Sequence, residues 1–506
     1  MREQAQLTSK RAPGHPDQVE HTVRTLKATA RQSQGKIRDL LRRWEAAGSV
    51  SEVTPLWVTN ALSVTATSTV IRKLATRSDV LSITPDALTL TPAANAVEPN
   101  ISVVGADAVW EQGARGGGVV VASLDSGVDV SHPDLAARWR GGSNSWFDPY
   151  NEHPTTPTDL TGHGTGTVGV MVGGSAGGTA IGVAPDAEWI AAKIFNDTGA
   201  TTVTAVHEAF QWVLDPDDDP TTDDAPDVVN GSWSLGSGPG CDLSLQPDLQ
   251  ALRAAGIVPV FAAGNFGPGG TSSVSPANYP EALSVGAVTN GDLIYSASSR
   301  GPSNCGGRTR VFPDVVAPGV NVTTADRYGQ YQTVSGTSVA APHVSGALAL
   351  LLGESRGLPQ GAQESALISG AVDLGTAGPD STYGAGRINV PAAMVEQSAM
   401  PGFSVTTPTS AVNANAGSTA EADLTVAARN GFVGVVSLST SSLPAAVGTA
   451  VVTPDSVVGS GTSTLHLSLA VDAPAGTYPM TVSGISGTAV DRASLSVTVP
   501  PQDFTL

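Results

Sequence analysis

The octapeptide GTSVAAPH, residues 336–343, sets Ser338 between small residues at a predicted sharp turn. An Ala- and Leu-rich run from Val344 to Leu352 follows it and is predicted to be helical. A serine at a helix N-terminus presents its hydroxyl beside backbone N–H groups that can receive an oxyanion. The octapeptide therefore indicates a nucleophilic serine.

Two upstream motifs supply the partners that such a serine needs. The segment VVVASLDSG, residues 119–127, is typical of a buried strand, and it ends near Asp125. The segment GHGTGTV, residues 162–168, begins a glycine-rich helix with His163. Because a hydroxyl attacks an amide only when a base takes its proton, His163 is predicted to be the base and later the acid for the leaving amine. Asp125 is predicted to fix the imidazole tautomer and to stabilise the imidazolium.

The order Asp, His, Ser along the chain is the order found in subtilisin. All three motifs resemble those of the subtilisin-like serine proteases, and the resemblance covers about residues 100–398. It is nearest to the bacillopeptidase F type of that family, through PDVVNGSW (226–233), AAGNFG (262–267), SPANYP (275–280) and SSRGP (298–302). The resemblance implies a three-layer α/β fold with a mainly parallel sheet, and a serine endopeptidase that works through an acyl-enzyme.

The same resemblance assigns the other site residues. Asn265 matches the family's oxyanion asparagine, with the Ser338 backbone N–H as second donor. Val274 stands near the floor of the pocket for P1, the residue on the acyl side of the cleaved bond, where a larger residue would shorten the pocket. The implied walls are Ser232, Trp233, Ser234, Ala262, Ala263 and Gly264. Walls this apolar favour uncharged P1 residues.

Short apolar strands alternate with helical stretches in the central region, which also favours an α/β fold with a parallel sheet. The predicted strands are 119–124, 188–194, 227–232, 257–262 and 282–288, and the predicted helices include 203–214, 245–255 and 343–352. Catalytic residues then fall at the carboxyl ends of the strands, where such sheets place their ligands.

The N-terminal region precedes this enzyme-like part. Residues 19–87 combine helical spacing with alternating apolar residues, including a predicted strand at 80–83, and indicate a small α+β unit. This unit resembles the propeptide of the family, a temporary inhibitor, and a permanent structural domain is the alternative. Residues 88–99 are predicted to be an extended processing linker that lies in the substrate groove, and residues 1–18 to be disordered.

The C-terminal region changes in composition. Residues 403–499 carry alternating apolar segments separated by turn signals, and they predict an all-β, immunoglobulin-like sandwich. Residues 500–506 are interpreted as a linker or as the start of a second repeat in a truncated gene product.

Charge and hydropathy limit the partners. The net charge of −19 argues against nucleic acid, and no apolar run reaches the roughly 18 residues of a membrane span. Residues 1–98 hold 13 of the 26 Lys and Arg residues but only 9 of the 45 Asp and Glu residues, a net of +4 against −23 for the remainder. We therefore expect polypeptide substrates, an inhibitory prodomain that docks on an acidic enzyme, and a monomer.

Two cysteines and the N-terminus bear on the compartment. Cys241 and Cys305 lie in Gly-, Ser- and Pro-rich loops, so either they form one disulfide or both are free thiols. Low cysteine use with high Gly, Ser, Thr and Ala suits a secreted bacterial protein. The sequence MREQ at the start has no apolar core of a signal peptide, so we expect that the signal is missing from this chain or that the start was placed too late.

No cofactor is expected to be required, and a structural calcium ion is an open option. The loop 173–182 lacks the asparagine ligands of the family's tight calcium site, although Asp134 keeps the matching carboxylate. Residues 215–227 are crowded with aspartates that could bind Ca²⁺, with a solvated acidic loop as the alternative. Gly166 departs from the family, which often has a second histidine there.

The predicted function is a secreted serine endopeptidase that is made as a self-processing zymogen. The first alternative is an inactive scaffold of the same family that binds through its sandwich domain. The second is esterase or amidase chemistry on small molecules, which would use the same triad.

Overall fold

The computed structural model describes residues 15–86, 90–92, 100–220, 222–359 and 361–501. These residues form two compact units, one comprising Gln18–Gly353 with Glu364–Met394, the other Glu354–Gln363 with the chain from Val395 onward. The first unit contains the N-terminal region and the predicted peptidase part, and the second contains the predicted sandwich.

The N-terminal region is a long helix followed by a hairpin and a short helix. Its elements are α1 (His15–Ala46), β1 (Val50–Leu56), β2 (Ala61–Ala66) and α2 (Ser68–Ala75). Strands β1 and β2 pair antiparallel. Two expectations differ from the structure: residues 15–18 of the predicted disordered segment are helical, and residues 80–83 form no strand. Leu81 is 76 % exposed, so the apolar pattern at 80–83 has no surface to pack against.

The centre of the first unit is a seven-stranded parallel sheet with the order β11-β10-β9-β7-β4-β6-β5. Its strands are β4 (Val120–Asp125), β5 (Trp146–Phe147), β6 (Glu188–Lys193), β7 (Val228–Gly231), β9 (Val258–Ala262), β10 (Leu283–Val288) and β11 (Val315–Pro318). The five predicted strands match these within about one residue at each end, since each is a continuous apolar run of the kind that both-face burial requires.

Smaller elements complete this unit. Two further two-stranded sheets belong to it. In one, β3 (Leu90–Pro92) pairs with β8 (Trp233–Leu235), and the other is the hairpin of β12 (Thr323–Ala325) with β13 (Tyr331–Thr333). The helices are α3 (Ile101–Val104), α4 (Ala106–Trp110), α5 (His163–Val172), α6 (Val203–Leu214), α7 (Gln246–Ala255), α8 (Thr337–Glu354), α9 (Ala362–Ser369) and α10 (Val390–Ser398).

Helices cover both faces of the sheet. Successive residues of β4 point to opposite faces, as a strand requires, so Val121 packs with α5 and α8 residues while Ala122 packs with α6 and α7 residues. The result is the three-layer α/β architecture that the sequence predicts, and that prediction is confirmed.

The N-terminal region contributes to one of these layers. Val19, Val23 and Leu26 of α1, together with Val58 in the β1–β2 turn, lie in the same buried cluster as Phe210 of α6. A second, smaller cluster holds the far end of α1 against the hairpin and α2.

The second unit contains an all-β sandwich, as predicted. Its strands are β14 (Gly402–Thr406), β15 (Ala411–Asn413), β16 (Thr419–Arg429), β17 (Val435–Thr440), β18 (Gly448–Thr453), β19 (Ser456–Val458), β20 (Gly461–Leu469), β21 (Gly476–Ser486) and β22 (Ala489–Val499). Sheets β14-β16-β20-β18 and β15-β22-β21-β17-β19 enclose a core that includes Leu424, Leu465 and Val482. Alternate residues of β16 are buried and exposed, which is the pattern of a strand with one face on a core.

Candidate active site

The predicted base and its carboxylate partner meet at the carboxyl edge of the sheet. Asp125 is the last residue of β4 and is 1 % exposed, and His163 is the first residue of α5. The two side chains join through His163 Nδ1 and Asp125 Oδ1 at 2.7 Å. A buried carboxylate on Nδ1 leaves Nε2 as the nitrogen that can exchange protons with a nucleophile.

This close approach depends on a residue without a side chain. A Cβ on Gly164 would overlap the carbonyl oxygen of Gly127, so only glycine lets the loop after β4 lie against the start of α5.

A second carboxylate, missed by the sequence analysis, organises the same loop. Asp159 is 6 % exposed and accepts hydrogen bonds from Ser126 Oγ, Thr161 N, Gly162 N and Thr165 N. The Ser126 hydroxyl in turn accepts from Gly164 N. The signal that was available is an aspartate just ahead of a helix start, a position where carboxylates bind free backbone N–H groups.

Ser338 lies in the first turn of α8 and is 1 % exposed. The helix begins at Thr337, six residues before the predicted start at 343, and it includes Pro342. Pro342 is the sixth residue of the helix, so it lacks the N–H that would bond the Ser338 carbonyl oxygen, and Ser232 Oγ donates to that oxygen instead. His163 and Ser338 line one pocket, whose other lining residues are Thr161, Gly162, Gly166, Gln332, Val334 and Val339. The structure thus brings the three predicted catalytic side chains to one place.

The other histidine of the octapeptide has a different environment. His343 is fully buried, with Nδ1 2.6 Å from the Val339 carbonyl oxygen and Nε2 2.6 Å from Asn100 Nδ2. Burial lowers the pKa of His343 to about 4, so this imidazole is neutral at pH 7. Both ring nitrogens are engaged in holding α8, which fits a structural role.

The Asn265 side chain contacts Thr337, the residue that precedes the predicted nucleophile in the chain. Its Oδ1 accepts from Thr337 N at 3.0 Å and from Thr337 Oγ1 at 3.2 Å. With the oxygen of the amide held by the residue preceding Ser338, its Nδ2 is the end available to donate to a developing oxyanion.

The predicted groove walls are the segments that follow β7 and β9. Ser232 Oγ donates to the Ser338 carbonyl oxygen at 2.7 Å, and the Gly264 N–H donates to Thr337 Oγ1 at 3.2 Å. The Trp233 side chain does not line the groove: it is 1 % exposed, donates to the Leu124 carbonyl oxygen and packs edge-on against Phe261. Trp233 therefore contributes only its backbone. Ser234, Ala262, Ala263 and Val274 are also buried here.

A side chain from another element occupies the place beside Gly166. Gln332 Nε2 donates to the carbonyl oxygens of Gly162 and Ala325, at 3.1 and 2.9 Å, and a Cβ on Gly166 would lie 3.1 Å from it. Gln332, on β13, thus binds the start of α5 and fills the space beside Gly166. At the position of Gly166 the family often has a histidine, which belongs to the helix itself.

The residues at the family's calcium position do not fit a cation. Asp134 Oδ1 accepts from Gly177 N at 3.0 Å, and Oδ2 accepts from Tyr331 OH at 2.6 Å. Both carboxylate oxygens are therefore engaged by protein donors. Within the described ranges, no group of three or more His, Cys, Asp or Glu residues has a geometry that could hold a metal ion.

The aspartate-rich loop has protein partners in the described residues. Asp215 and Asp218 each lie 2.6 Å from Lys27 Nζ, Asp217 accepts from Thr222 Oγ1, and Asp224 accepts from Asn144 Nδ2. Burial raises the pKa of Asp224 to about 6, despite its bond from Asn144.

Two further findings concern the cysteines and the helices. Cys241 and Cys305 are joined in a disulfide, the first of the two alternatives. In the part of the chain that the structure describes, no helix has the length and apolar character needed to cross a membrane.

Comparisons with known proteins agree with this site. The profile of the subtilase family, peptidase family S8, matches residues 116–386. Bacillopeptidase F of Bacillus subtilis is 35 % identical over 406 residues, which is 72 % of this chain but only 28 % of that protein. Subtilisin E of Bacillus subtilis is 33 % identical over 336 residues, covering 66 % of this chain and 80 % of the relative. Subtilisin DY of Bacillus licheniformis is 35 % identical over 303 residues, which cover 59 % of this chain and 99 % of that relative.

The chain belongs to the subtilase family of serine proteases. The predicted enzyme class, serine endopeptidase, is confirmed at the level of this family. Subtilases need no organic cofactor.

Proposed function

We propose that this chain is the precursor of a secreted serine endopeptidase that uses Asp125, His163 and Ser338 and that removes its own N-terminal region. The observation that carries the proposal is the hydrogen bond of 2.7 Å between His163 Nδ1 and Asp125 Oδ1. His163 lines the same pocket as Ser338. A base fixed by a buried carboxylate beside a serine at a helix start is the arrangement that activates a hydroxyl.

The steps follow from the positions of these groups. Ser338 Oγ attacks the carbonyl carbon of the scissile bond while His163 Nε2 takes its proton. Asp125 stabilises the imidazolium, and Asn265 Nδ2 with the Ser338 N–H donates to the oxyanion. The imidazolium then protonates the leaving amine, and a water molecule hydrolyses the acyl-enzyme by the reverse sequence.

The decisive experiment compares Ser338→Ala with Ser335→Ala, a serine three residues earlier that is not assigned to the site. Ser338→Ala should abolish peptide hydrolysis, fluorophosphonate labelling and removal of the N-terminal region, whereas Ser335→Ala should retain all three. Processing of purified Ser338→Ala without another protease would contradict the proposal. Labelling without peptide hydrolysis would favour small-molecule esterase chemistry, and no labelling of the wild type would favour the inactive scaffold.

The oxyanion role of Asn265 has its own test. Asn265→Ala should lower kcat by about 10²–10³, the magnitude known for the corresponding donor of subtilisin, with little change in KM. A rise in KM that accounts for the whole loss in kcat/KM would make Asn265 a substrate-binding residue instead.

The N-terminal region is proposed to be the inhibitor of this enzyme. Its contacts with the peptidase part are specific: Lys27 binds Asp215 and Asp218, and Asp86 accepts from Thr204 N at 2.9 Å at the start of α6. Val58 N also donates to Gln211 Oε1 at 3.1 Å. Although burial lowers the pKa of Lys27, its two carboxylate partners raise it overall, so Lys27 remains charged in the complex.

A separate 1–98 peptide should therefore inhibit the processed enzyme, and inhibition should weaken but persist as salt is raised. Salt screens the charge attraction beyond roughly 8–10 Å, whereas the apolar contacts of α1 and the pairing of β3 are not screened. Absence of inhibition at low salt would contradict the assignment of residues 19–87 as inhibitor.

Export is proposed from the disulfide. A bond between Cys241 and Cys305 forms and persists in oxidising compartments and is rare in reducing ones. Detection of the processed enzyme in the culture medium, with both cysteines unreactive to thiol reagents until reduced, is the expected result.

A further inference from the structure

A proline interrupts the hydrogen bonds of α8 at the residue that bears the predicted nucleophile. In an α-helix, the carbonyl oxygen of Ser338 would accept from the N–H of residue 342. That residue is Pro342, which has no N–H and whose ring crowds the carbonyl oxygen four residues earlier. Ser338 is 1 % exposed, and a buried carbonyl oxygen is unfavourable unless another donor reaches it.

The side chain of Ser232, predicted from the sequence to be part of the groove wall, is such a donor. Its Oγ lies 2.7 Å from the Ser338 carbonyl oxygen. Ser232 is fully buried, so its hydroxyl faces the interior of the protein and not the groove. The side chain therefore holds the turn that carries the nucleophile instead of binding substrate.

Two more buried side chains continue this contact into the core. Asn230 Nδ2 donates to Ser232 Oγ at 2.9 Å, and Ser345 Oγ donates to Asn230 Oδ1 at 3.0 Å. All three side chains are fully buried, so water does not compete for these bonds. Ser345 lies about two helical turns after Ser338, on the same face of α8. The three side chains form one network, the Ser345–Ser338 network, which leaves α8 at Ser345 and returns to it at Ser338.

The direction of each bond in the Ser345–Ser338 network is fixed by its last member. A carbonyl oxygen can only accept, so Ser232 must donate its one proton to Ser338 and accept from Asn230. Asn230 must then turn its Nδ2 to Ser232 and its Oδ1 to Ser345, whose hydroxyl donates. Hydrogen bonds aligned in one direction polarise one another, which strengthens the last bond, to Ser338.

The network is anchored beside the strand that carries the catalytic aspartate. Asn230 lies in β7, where it pairs with Ser123 of β4 on one side and with Val260 of β9 on the other. Asp125 ends β4 shortly after Ser123, and it binds His163. A nucleophile held through Asn230 is therefore held relative to the sheet edge that also fixes its base.

We propose that Ser232, Asn230 and Ser345 are positioning residues that orient Ser338 for attack. The proposal rests on the proposed function and adds residues that affect catalysis without touching the substrate. The hydroxyl of Ser338 and its N–H, the second oxyanion donor, belong to the residue whose carbonyl oxygen Ser232 holds. A rotation of this residue would move both groups, which slows the chemical step and leaves substrate binding nearly unchanged.

The first experiment removes the Ser232 hydroxyl from the full chain in two backgrounds. Kinetics of the processed enzymes are measured on a chromogenic tetrapeptide and are normalised to the sites that a fluorophosphonate titrates. Ser232→Ala should lower kcat about tenfold, with KM within about twofold of the wild type. Pro342→Ala supplies the N–H that α8 lacks, so in that background Ser232→Ala should cost less than about threefold.

Two outcomes of this experiment would overturn the inference. An equal loss in both backgrounds would mean that Ser232 does not act through the Ser338 carbonyl oxygen. A rise in KM that accounts for the whole loss in kcat/KM would make Ser232 a substrate-binding residue.

The second experiment compares Ser345→Ala with a matched serine of the sandwich. Ser463 is also buried, at 4 % exposed, and donates to the carbonyl oxygen of Pro454 at 2.6 Å. Ser463→Ala should leave kcat and KM unchanged, whereas Ser345→Ala should lower kcat roughly several-fold at unchanged KM. Ser345→Ala leaves Ser232 and Pro342 in place, so it tests the network even if the variants at those positions do not fold. A Ser345→Ala enzyme as fast as Ser463→Ala would refute the network, whereas a wild type without peptide hydrolysis would refute the proposed function.

Discussion

The N-terminal region and the C-terminal sandwich differ in where their buried residues belong. The sandwich has its own core of two facing sheets, made entirely by residues 403–499. In the N-terminal region, Val19, Val23, Leu26 and Val58 belong instead to a cluster built on the peptidase sheet and α6. The cluster of its own is small, with Leu41, Val50, Val70 and Leu74 as its buried members. A region that completes its core on another surface depends on that surface for its stability, whereas a closed sandwich does not.

The largest expected effect concerns folding of the two regions in isolation. Segment 395–501 should unfold cooperatively on heating, because its core is self-contained. Segment 15–86 should show no cooperative transition by itself and should gain helical signal only when processed wild-type enzyme, blocked at Ser338 with a fluorophosphonate, is added. Circular dichroism during thermal unfolding checks both expectations. A sharp melting transition of isolated 15–86 would remove the basis of the comparison.

The next effect concerns the ion pairs between Lys27 of α1 and the aspartate-rich loop, residues 215–227. Lys27→Ala should weaken inhibition by the N-terminal region about tenfold, because it leaves the Asp215 side chain, 2 % exposed, without its cation. Arg24→Ala is the matched control, since Arg24 pairs with Glu20 within the same helix and is 61 % exposed. Inhibition constants at low and high salt provide the measurement. Equal losses for the two variants would mean that only the overall charge matters.

The smallest expected effect is a pH dependence of the same interaction. Burial, together with the carboxylates of Asp86 and Glu52, raises the pKa of Glu208 on α6 to about 7, and His207 opposes this in part. In the free enzyme, without Asp86 and Glu52 nearby, Glu208 should titrate closer to its ordinary value of 4.5. The complex binds this proton more tightly, so inhibition should be strongest below about pH 4.5, weaken as pH rises toward 7 and level off above it.

Glu208→Gln should flatten this profile, because the amide stays neutral in both states. The change in inhibition constant across the range should be roughly several-fold, since Glu208 is partly solvated. A profile that is unchanged by Glu208→Gln would assign the pH dependence to another group.

Several features of this protein could be predicted because they depend on local sequence. The helix at 203–214 has the predicted bounds, and five strands of the parallel sheet were placed within about one residue. Both follow from apolar runs and periodicity within one segment. The motifs around Asp125, His163 and Ser338 indicated their residue types and order in the same way.

Other features were missed because the information is not local. The short strands β5 and β11 take their strand character from neighbours in the sheet, and Val80–Ile83 looks like a strand but has no partner. The start of α8 was placed too late because Ser338 and Thr337 are unremarkable as helix formers. The burial of the Trp233 side chain beneath the groove follows from the Phe261 ring, 28 residues later in the chain.

The sequence by itself determined the class of enzyme and the residue types of the site, since catalysis restricts which side chains can serve at those positions. Three contacts were decided by tertiary structure alone. Asp159 binds the backbone of the loop before His163, and Gln332 fills the space beside Gly166 of α5. Val274 packs on Gly264. These contacts join segments far apart along the chain, and their distances depend on how the sheet, helices and loops pack. The pairing of Leu90–Pro92 with β8 is of the same kind, because a strand's register is set by the partner it meets and not by its own three residues.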